Sequence, residues 1–269
     1  PCIAYAMNKI YTLNKEANVI VSPSDHLILK EDDFISTIKE GLEYTRQNDN
    51  ILTLGIKPNR PETGYGYIQI AENDGKSRFY KAKTFTEKPN LELAKIFLDS
   101  GEFLWNSGMF IWNAKTIIAA FDSYLEEVSN KFKAGAEFYG TPKEQEFINS
   151  IYQSCTNISI DYAILEKADN VHVLAANFGW SDLGTWGSIY EHSEKDAEQN
   201  VTLKCKSLLY ECKDNIIALP DGKLAVVQGL EDYIVAEADK VLLICKKSEE
   251  QRIRQFVNDT LVKIGEDYI

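Results

Sequence analysis

Four short polar turns carry the side chains of this chain that are best suited to chemistry, and each one borders an apolar run. They are Pro23-Ser24-Asp25-His26, Thr86-Glu87-Lys88-Pro89, Trp105-Asn106-Ser107-Gly108 and Gly179-Trp180-Ser181-Asp182-Leu183-Gly184. Asp182 is the most unusual of these residues. Its carboxylate sits among glycine and small polar residues between Trp180 and Trp186, a setting that suits a ligand for a metal or a polar substrate. Two loop-borne carboxylates with room for water, Asp25 and Asp182, are what Mg²⁺ usually takes from a protein, with substrate phosphates completing the octahedron. Lys88 can neutralise a phosphate as a point charge. Glu87 and Asn106 together offer acceptors and a donor to vicinal sugar hydroxyls. Gly64-Tyr65-Gly66 would let backbone approach a ligand closely. These residues describe a site for a sugar phosphate plus a metal. The reaction class is transfer at phosphorus, where catalysis is mostly positioning and charge neutralisation.

Each residue also has a plainer reading. Asp25 could cap the next helix, although that helix begins several residues later. His26 reads as a structural hydrogen-bonder, since no second His or Cys stands at metal spacing. Glu87-Lys88 could be a solvated strand end, and Asn106 could form an Asx turn before Gly108. Trp105, Trp112, Trp180 and Trp186 read as core. The plain alternative is weakest for Asp182.

The elements that must position these turns follow from hydrophobic periodicity. Ile3 to Lys15 reads as a helix, and Asn18 to Ser22 as a central strand buried on both sides. Glu31 to Gln47 reads as an amphipathic helix and Ile51 to Ile56 as another buried strand, which points to a parallel sheet with helices on its faces. A loop stiffened by Pro58 and Pro61 leads to Tyr65–Ile70. The turn signal Asn73-Asp74-Gly75-Lys76 returns the chain through Arg78–Thr86, an antiparallel hairpin inserted in the α/β framework. Leu91–Asp99 is helical, Trp105–Gly108 is a tight turn, and Met109–Trp112 is a strand. Ala114–Phe132, Pro142–Gln153 and Asp161–Ala168 read as helices and Val171–Ala175 as a strand. After about Asn200 short strand-like runs succeed one another: 207–210, 215–219, 224–227, 233–236 and 241–245. A last helix follows, with Ser248 and Gln251 as a capping box and Ile253, Phe256, Val257, Leu261 and Ile264 as its apolar stripe. Two domains result, residues 1–200 and a β-rich 201–269.

Composition narrows the class. The 269 residues are 44% hydrophobic and 26% charged, the balance of a globular chain. The net charge of -12 argues against a nucleic-acid groove and an anionic membrane surface. No apolar run approaches the ~20 residues of a membrane span. The five cysteines are scattered without C-x-x-C spacing, which fits reduced thiols in a cytoplasmic protein.

At this point the motifs coincide with a family. Val21-Ser22-Pro23-Ser24-Asp25-His26, Phe85-Thr86-Glu87-Lys88-Pro89, Trp105-Asn106-Ser107-Gly108-Met109-Phe110, Ser159-Ile160-Asp161-Tyr162-Ala163-Ile164-Leu165-Glu166-Lys167 and Gly179–Trp186 resemble, in order, the blocks of the mannose-1-phosphate guanylyltransferases, or GDP-mannose pyrophosphorylases. The resemblance implies an α/β nucleotidyltransferase fold, Rossmann-like, with a mixed sheet, helices on both faces and a small β-rich C-terminal domain. It implies the reaction GTP + mannose 1-phosphate → GDP-mannose + pyrophosphate. By motif match Asp25 and Asp182 would hold Mg²⁺, Lys88 would contact the sugar phosphate, Glu87 and Asn106 would bind mannose hydroxyls, and Gly66 would offer backbone to the sugar.

The resemblance also carries a departure. Such enzymes begin with a glycine- and arginine-rich triphosphate loop, and the only early glycine here is Gly41, inside a helix. Pro1-Cys2-Ile3-Ala4 resembles a segment well inside the first domain, so the expectation is a fold incomplete at its N-terminus and inactive as this fragment alone. Two alternatives stay open: a nucleotidyltransferase for another hexose 1-phosphate, and a non-catalytic sugar-phosphate-binding module. A homodimer through the apolar β element is also kept open, whereas a bifunctional form with a fused isomerase is conceivable but finds no second domain in this sequence to support it.

Overall fold

A computed structural model describes residues 1–73 and 77–268, so the expected turn at Asn73–Lys76 lies outside the described residues apart from Asn73. The chain forms two compact units, Pro1–Trp180 and Ser181–Ile269. In the first, the order is α1 (Cys2–Leu13), β1 (Asn18–Val21), β2 (Leu27–Ile28), α2 (Glu31–Gln47), β3 (Ile51–Ile56), β4 (Gly66–Ile70), β5 (Phe79–Glu87), α3 (Leu91–Ser100), β6 (Phe103–Asn113), α4 (Ala114–Tyr124), α5 (Glu126–Lys133), α6 (Glu144–Tyr152), a π-helical turn (Asp161–Leu165) and β7 (Val171–Ala176). β8 (Trp180–Ser181) carries the chain into the second unit.

The main sheet has the order β1-β6-β3-β7-β5-β4, mixed in direction, with β3 and β7 parallel. Helices cover both faces, as the fold class requires. One face packs Met7, Ile117, Phe121, Val128, Phe132 and Ile148 of α1, α4, α5 and α6 against Ile51, Phe110 and Trp112. The other packs Phe34, Ile38 and Leu42 of α2 and Phe97 of α3 against Leu52, Leu54 and Ile111. Gly41 lets α2 approach closely, because a Cβ there would stand 2.5 Å from Ile111 Cδ1.

Several elements differ from their expected form. Asn18–Val21 is not a central strand. Among the described residues it pairs with β6 and is half-buried, and its apolar run reflects Val19 and Val21 facing one core while Ile20 faces the other. The β4–β5 pair is no mere insertion. β4 also pairs with β6, and β5 also pairs with β7, so the strands close around Ile68, Leu104 and Val173. Trp105–Gly108 is not a turn between elements but an interruption inside the continuous strand β6. The expected helix 114–132 breaks at Leu125 (φ −145°), whose own side chain packs into the core.

The second unit contains α7 (Trp186–His192), β9 (Val201–Leu203), β10 (Lys206–Tyr210), β11 (Ile216–Ala218), β12 (Leu224–Gln228), β13 (Tyr233–Ala238), β14 (Val241–Lys246) and α8 (Ile253–Lys263). β9, β11 and β13 lie parallel side by side, and β10 pairs parallel with β12, so the chain coils in stacked rungs. Buried asparagines tie one rung to the next. Asn215 donates from its backbone N and from Nδ2 to Asn200 Oδ1 (3.1 and 2.9 Å), and accepts from Tyr233 N at 2.9 Å. The unit begins some twenty residues before the expected boundary at 200/201 because α7 belongs to it. Trp186 and Tyr190 pack with Ile216 and Ile234, and Gly187 N donates to Glu250 Oε2 at 3.0 Å. Ser248 and Gln251 do not form a capping box. They lie in the 3₁₀ turn Lys247–Arg252, and α8 starts after it with no side-chain cap. Of the expected stripe, Ile253 and Phe256 pack on the β core, while Val257, Leu261 and Ile264 are exposed.

Two stability predictions follow from the packing of the first unit. A Cβ at Gly55 would stand 2.5 Å from Val173 Cγ1 and 2.7 Å from Leu104 Cδ1, both in a closed core. Gly55→Ala is therefore expected to destabilise by about 1–3 kcal/mol in chemical denaturation. Glu144 accepts hydrogen bonds from Lys9 Nζ, Tyr5 Oη and Gly140 N, and these, Lys9 foremost, hold its carboxyl down to about 2 from an ordinary 4.5. A depressed folded-state value stabilises above the unfolded value and loses that stabilisation as pH falls toward the folded one. Glu144→Gln should accordingly be less stable than wild type at pH 7, and melting curves should converge between pH 4.5 and about 2.

Candidate active site

The irregularity in β6 sets up the site of the first unit. Thr53 of β3 pairs with Phe110, but Gly55 pairs with Asn106, so β6 carries extra residues between them. Such a bulge re-aims the flanking side chain. Gly108 takes φ +69°, a conformation that glycine adopts without strain. The bulge is held by its own polar groups: Ser107 Oγ donates to Leu54 O at 2.8 Å, and the Thr53 hydroxyl lies 3.2 Å from Asn106 Oδ1 and 3.3 Å from Met109 O. Asn106 Oδ1 also accepts from Gly108 N at 3.1 Å, the Asx turn that its sequence allowed.

On the other side of β6, Tyr67 of β4 pairs with Trp105, and Gly66 pairs with Glu87 of β5. These registers bring Gly66, Glu87 and Asn106 together. A Cβ at Gly66 would meet Glu87 Oε2 at 2.6 Å and Asn106 Cβ at 3.4 Å, so the missing side chain is what leaves room there. Lys88 Nζ stands 3.0 Å from Glu87 Oε1, half-exposed. Lys88 itself adopts φ +48°, a strained backbone for a non-glycine residue, and its N–H donates to Tyr65 O at 3.1 Å. The Asp25 loop borders the same region, since Pro23 Cγ would lie 3.6 Å from a Cβ on Gly108. Asp25 itself is exposed.

Beneath the loop before β4, Arg60 pairs with the buried Glu62 at 3.0 Å and lies 5.2 Å from the Trp105 ring centroid. Tyr65 packs edge-on against both Trp105 and Trp180 (centroids 5.1 Å). Trp180 Nε1 donates to His26 Nδ1 at 3.0 Å, so His26 has the structural role its sequence suggested. Leu29 N and Lys30 N donate to Gly179 O and Phe178 O, so the stretch entering Trp180 runs along the segment that follows His26. Trp105, Trp112 and Trp180 are buried.

Asp182 belongs to the second unit, and its local geometry is an Asx turn. Its Oδ1 accepts from Gly184 N at 2.9 Å, Leu183 takes φ +50°, and a Cβ at Gly184 would stand 2.9 Å from Asp182 Oδ2. The turn ends where Thr185 caps α7 by accepting from Ser188 N at 3.1 Å.

One further carboxylate enters the site of the first unit. Asp161 opens the π-helical turn and accepts from Asn106 Nδ2 at 2.8 Å. Burial pushes its carboxyl up, the Asn106 bond pulls it back, and the nearby Glu87 charge pushes it up again. Glu166 is raised as well, by burial and by Asp161 and Glu87. Asp161 stands in the quoted Ser159–Lys167 block, but its role depends on a partner 55 positions away. The only local signal was a carboxylate directly after an apolar-polar run.

Residues 1–199 match the family model described as nucleotidyl transferase, and the chain belongs to that family. The match ends near the expected domain boundary at residue 200, whereas packing assigns α7 to the second unit; sequence unit and folded unit differ there. Among curated proteins the chain is 34% identical to the mannose-1-phosphate guanylyltransferase of Salmonella montevideo, over 99% of this chain and 57% of that protein. It is 30% identical to a mannose-1-phosphate guanylyltransferase of Escherichia coli, over 95% and 55%. Among solved structures it resembles a protein from Thermus thermophilus described as a mannose-1-phosphate geranyltransferase, with a TM-score of 0.77 and 25% identity over 96% of this chain and 73% of that one. The chain thus spans somewhat more than half the length of the curated relatives it matches.

Gly66→Ala tests the cradle. The methyl would push on the mobile end of Glu87 rather than on backbone. Stability should fall by less than about 1 kcal/mol, and if the sugar-phosphate expectation from the sequence holds, calorimetry on the full-length protein should show weaker binding of mannose 1-phosphate than wild type.

Proposed function

We propose that this protein joins GTP and mannose 1-phosphate into GDP-mannose and pyrophosphate, in the cytoplasm. The observation that carries this reading is the meeting of Gly66, Glu87, Lys88 and Asn106 around one glycine-made space, in a chain similar to curated mannose-1-phosphate guanylyltransferases over nearly its whole length. A carboxylate, an ammonium and an amide provide for the two halves of a sugar phosphate: Glu87 and Asn106 hold hydroxyls, and Lys88 offsets the phosphate charge. Gly66 lets the ring approach the backbone. An oxygen of the sugar phosphate attacks the α-phosphorus of GTP in line. The new P–O bond forms as the bond to the β-phosphate oxygen breaks, and its electron pair leaves with pyrophosphate. These residues hold the attacking phosphate in place and limit its repulsion from the triphosphate, which is most of what phosphoryl chemistry asks of a protein.

Asp25 and Asp182 would hold Mg²⁺. The donor set suits it. Asp182 spends one oxygen on Gly184 N and keeps the other, Asp25 is exposed, and no cluster of three or more His, Cys, Asp or Glu among the described residues supplies a closed protein cage. Two carboxylates with open positions for water and phosphate are a magnesium arrangement, and the ion would supply charge stabilisation at the reacting phosphates. The cytoplasmic assignment rests on the free cysteines. No described helix is long and apolar enough to cross a membrane.

The test is pyrophosphate release by the full-length protein with a panel of hexose 1-phosphates and nucleoside triphosphates. Mannose 1-phosphate with GTP should give the highest kcat/KM, and Asp25→Asn and Asp182→Asn should each lower kcat by roughly 100-fold or more, the scale of several kcal/mol of lost charge stabilisation. Preference for another sugar would move the reading to a different hexose. Sugar-phosphate binding without turnover of any pair would replace the enzyme by a binding module.

A further inference from the structure

We propose that Asp161 is a positioning residue of the sugar-phosphate site, locking the Asn106 amide into one orientation so that Asn106 meets the substrate as a hydrogen-bond donor only. The proposal rests on the sugar-phosphate reading of the site given above.

Asn106 has four hydrogen-bonding positions, two acceptor and two donor. Gly108 N occupies one acceptor position of Oδ1 at 3.1 Å, and the Thr53 hydroxyl approaches the other at 3.2 Å. Asp161 Oδ1 takes one of the two Nδ2 protons at 2.8 Å. One N–H remains. Turning the amide by 180° would set the NH₂ against Gly108 N–H and the carbonyl oxygen against the Asp161 carboxylate, so two mismatched pairs oppose the flip. Of the three partners Asp161 is the charged one, and hydrogen bonds to a charged group are the stronger kind.

Asp161 is itself well held. It begins the π-helical turn whose Ala163, Ile164 and Leu165 are buried in the core beneath α1 and α4, and such turns recur at functional sites. A group meant to hold another group in place belongs on an anchored element. The consequence reaches specificity. From the sequence, Glu87 and Asn106 together offer acceptors and a donor, and the structure divides those roles by leaving Asn106 a single N–H. Acceptors for the sugar's own hydroxyl protons must then come from carboxylates, and Glu87 lies beside Gly66 in position to serve.

The test compares Asp161→Ala and Asp161→Asn in the full-length protein. An asparagine at 161 keeps an oxygen that can accept from Asn106 Nδ2 and drops the charge, whereas alanine removes the acceptor. Asp161→Ala is expected to raise KM for mannose 1-phosphate about ten-fold, the scale of one lost charge-assisted hydrogen bond, with KM for GTP unchanged. Asp161→Asn should recover most of that loss. In an Asn106→Ala background, Asp161→Ala should add nothing further to KM. If alanine does not fold, Asp161→Ser, whose hydroxyl is too short to reach Nδ2, takes its place. A KM within two-fold of wild type for the alanine or serine variant would overturn the proposal. So would an asparagine variant as impaired as alanine, or an undiminished effect in the Asn106→Ala background. If wild type turns over no mannose 1-phosphate, the substrate reading fails separately. The lock is then judged by the Asn106 side-chain amide protons in NMR spectra without substrate. Slower exchange in wild type than in Asp161→Ala upholds the lock, and equal exchange refutes it.

Discussion

The site of the first unit depends on one constraint, the bulge that lets β6 satisfy two neighbours at once. β6 must pair with β3 along one edge and with both β1 and β4 along the other. A straight strand would send Asn106 wherever the pleat dictated. The extra residues around Ser107 and Gly108 break the alternation, and the Ser107 hydroxyl satisfies the Leu54 carbonyl beside the bulge. Asn106 then faces the glycine at Gly66 and the turn at Asp161. The polar groups around the bulge support the fold and orient the site together.

The β4–β5 pair serves the same end. By pairing outward to both β6 and β7 it closes a ring of strands, and the register that closes the ring also sets Gly66 against Glu87. Lys88 follows directly, with its backbone in a strained left-handed conformation and its N–H bonded to Tyr65 O. Strain of that kind persists where the surroundings over-determine it, and here the strand pairing that ends at Glu87 and the bond from Lys88 N to Tyr65 O do so. Aromatic contacts extend the support. Tyr65 bridges Trp105 and Trp180, and Trp180 bonds to His26, so the tryptophans that read as core also hold the polar turns steady.

The second unit rests on different physics. Its rungs stack in parallel and its buried asparagines hydrogen-bond from one rung to the next, so corner backbone groups are satisfied by side chains rather than by a ladder. Asp182 stands just before this unit's first helix in a turn that is complete in itself, needing only Leu183 at positive φ and a glycine at 184. A local requirement of this kind is why the turn was visible in the sequence.

What the sequence determined by itself was the set of elements that one buried stripe or run specifies. The helices α1, α2 and α3 and the strands β3 and β7 were legible from periodicity within a residue or two, because one buried stripe or one doubly buried run suffices to specify them. The candidate residues Asp25, Gly66, Glu87, Lys88, Asn106 and Asp182 could be picked out because each stands in a short polar stretch beside an apolar run. Tertiary structure decided whatever depended on pairing across distance. It made β1 an edge strand of the described sheet, turned an expected tight turn into a bulge, and gave α7 to the β-rich unit through Trp186 and Tyr190. It also brought Asp161 to Asn106. The physical reason is that periodicity records which face of an element is buried but not which neighbour buries it. A register, and therefore a hydrogen bond between residues 106 and 161, exists only once the strands have chosen their partners.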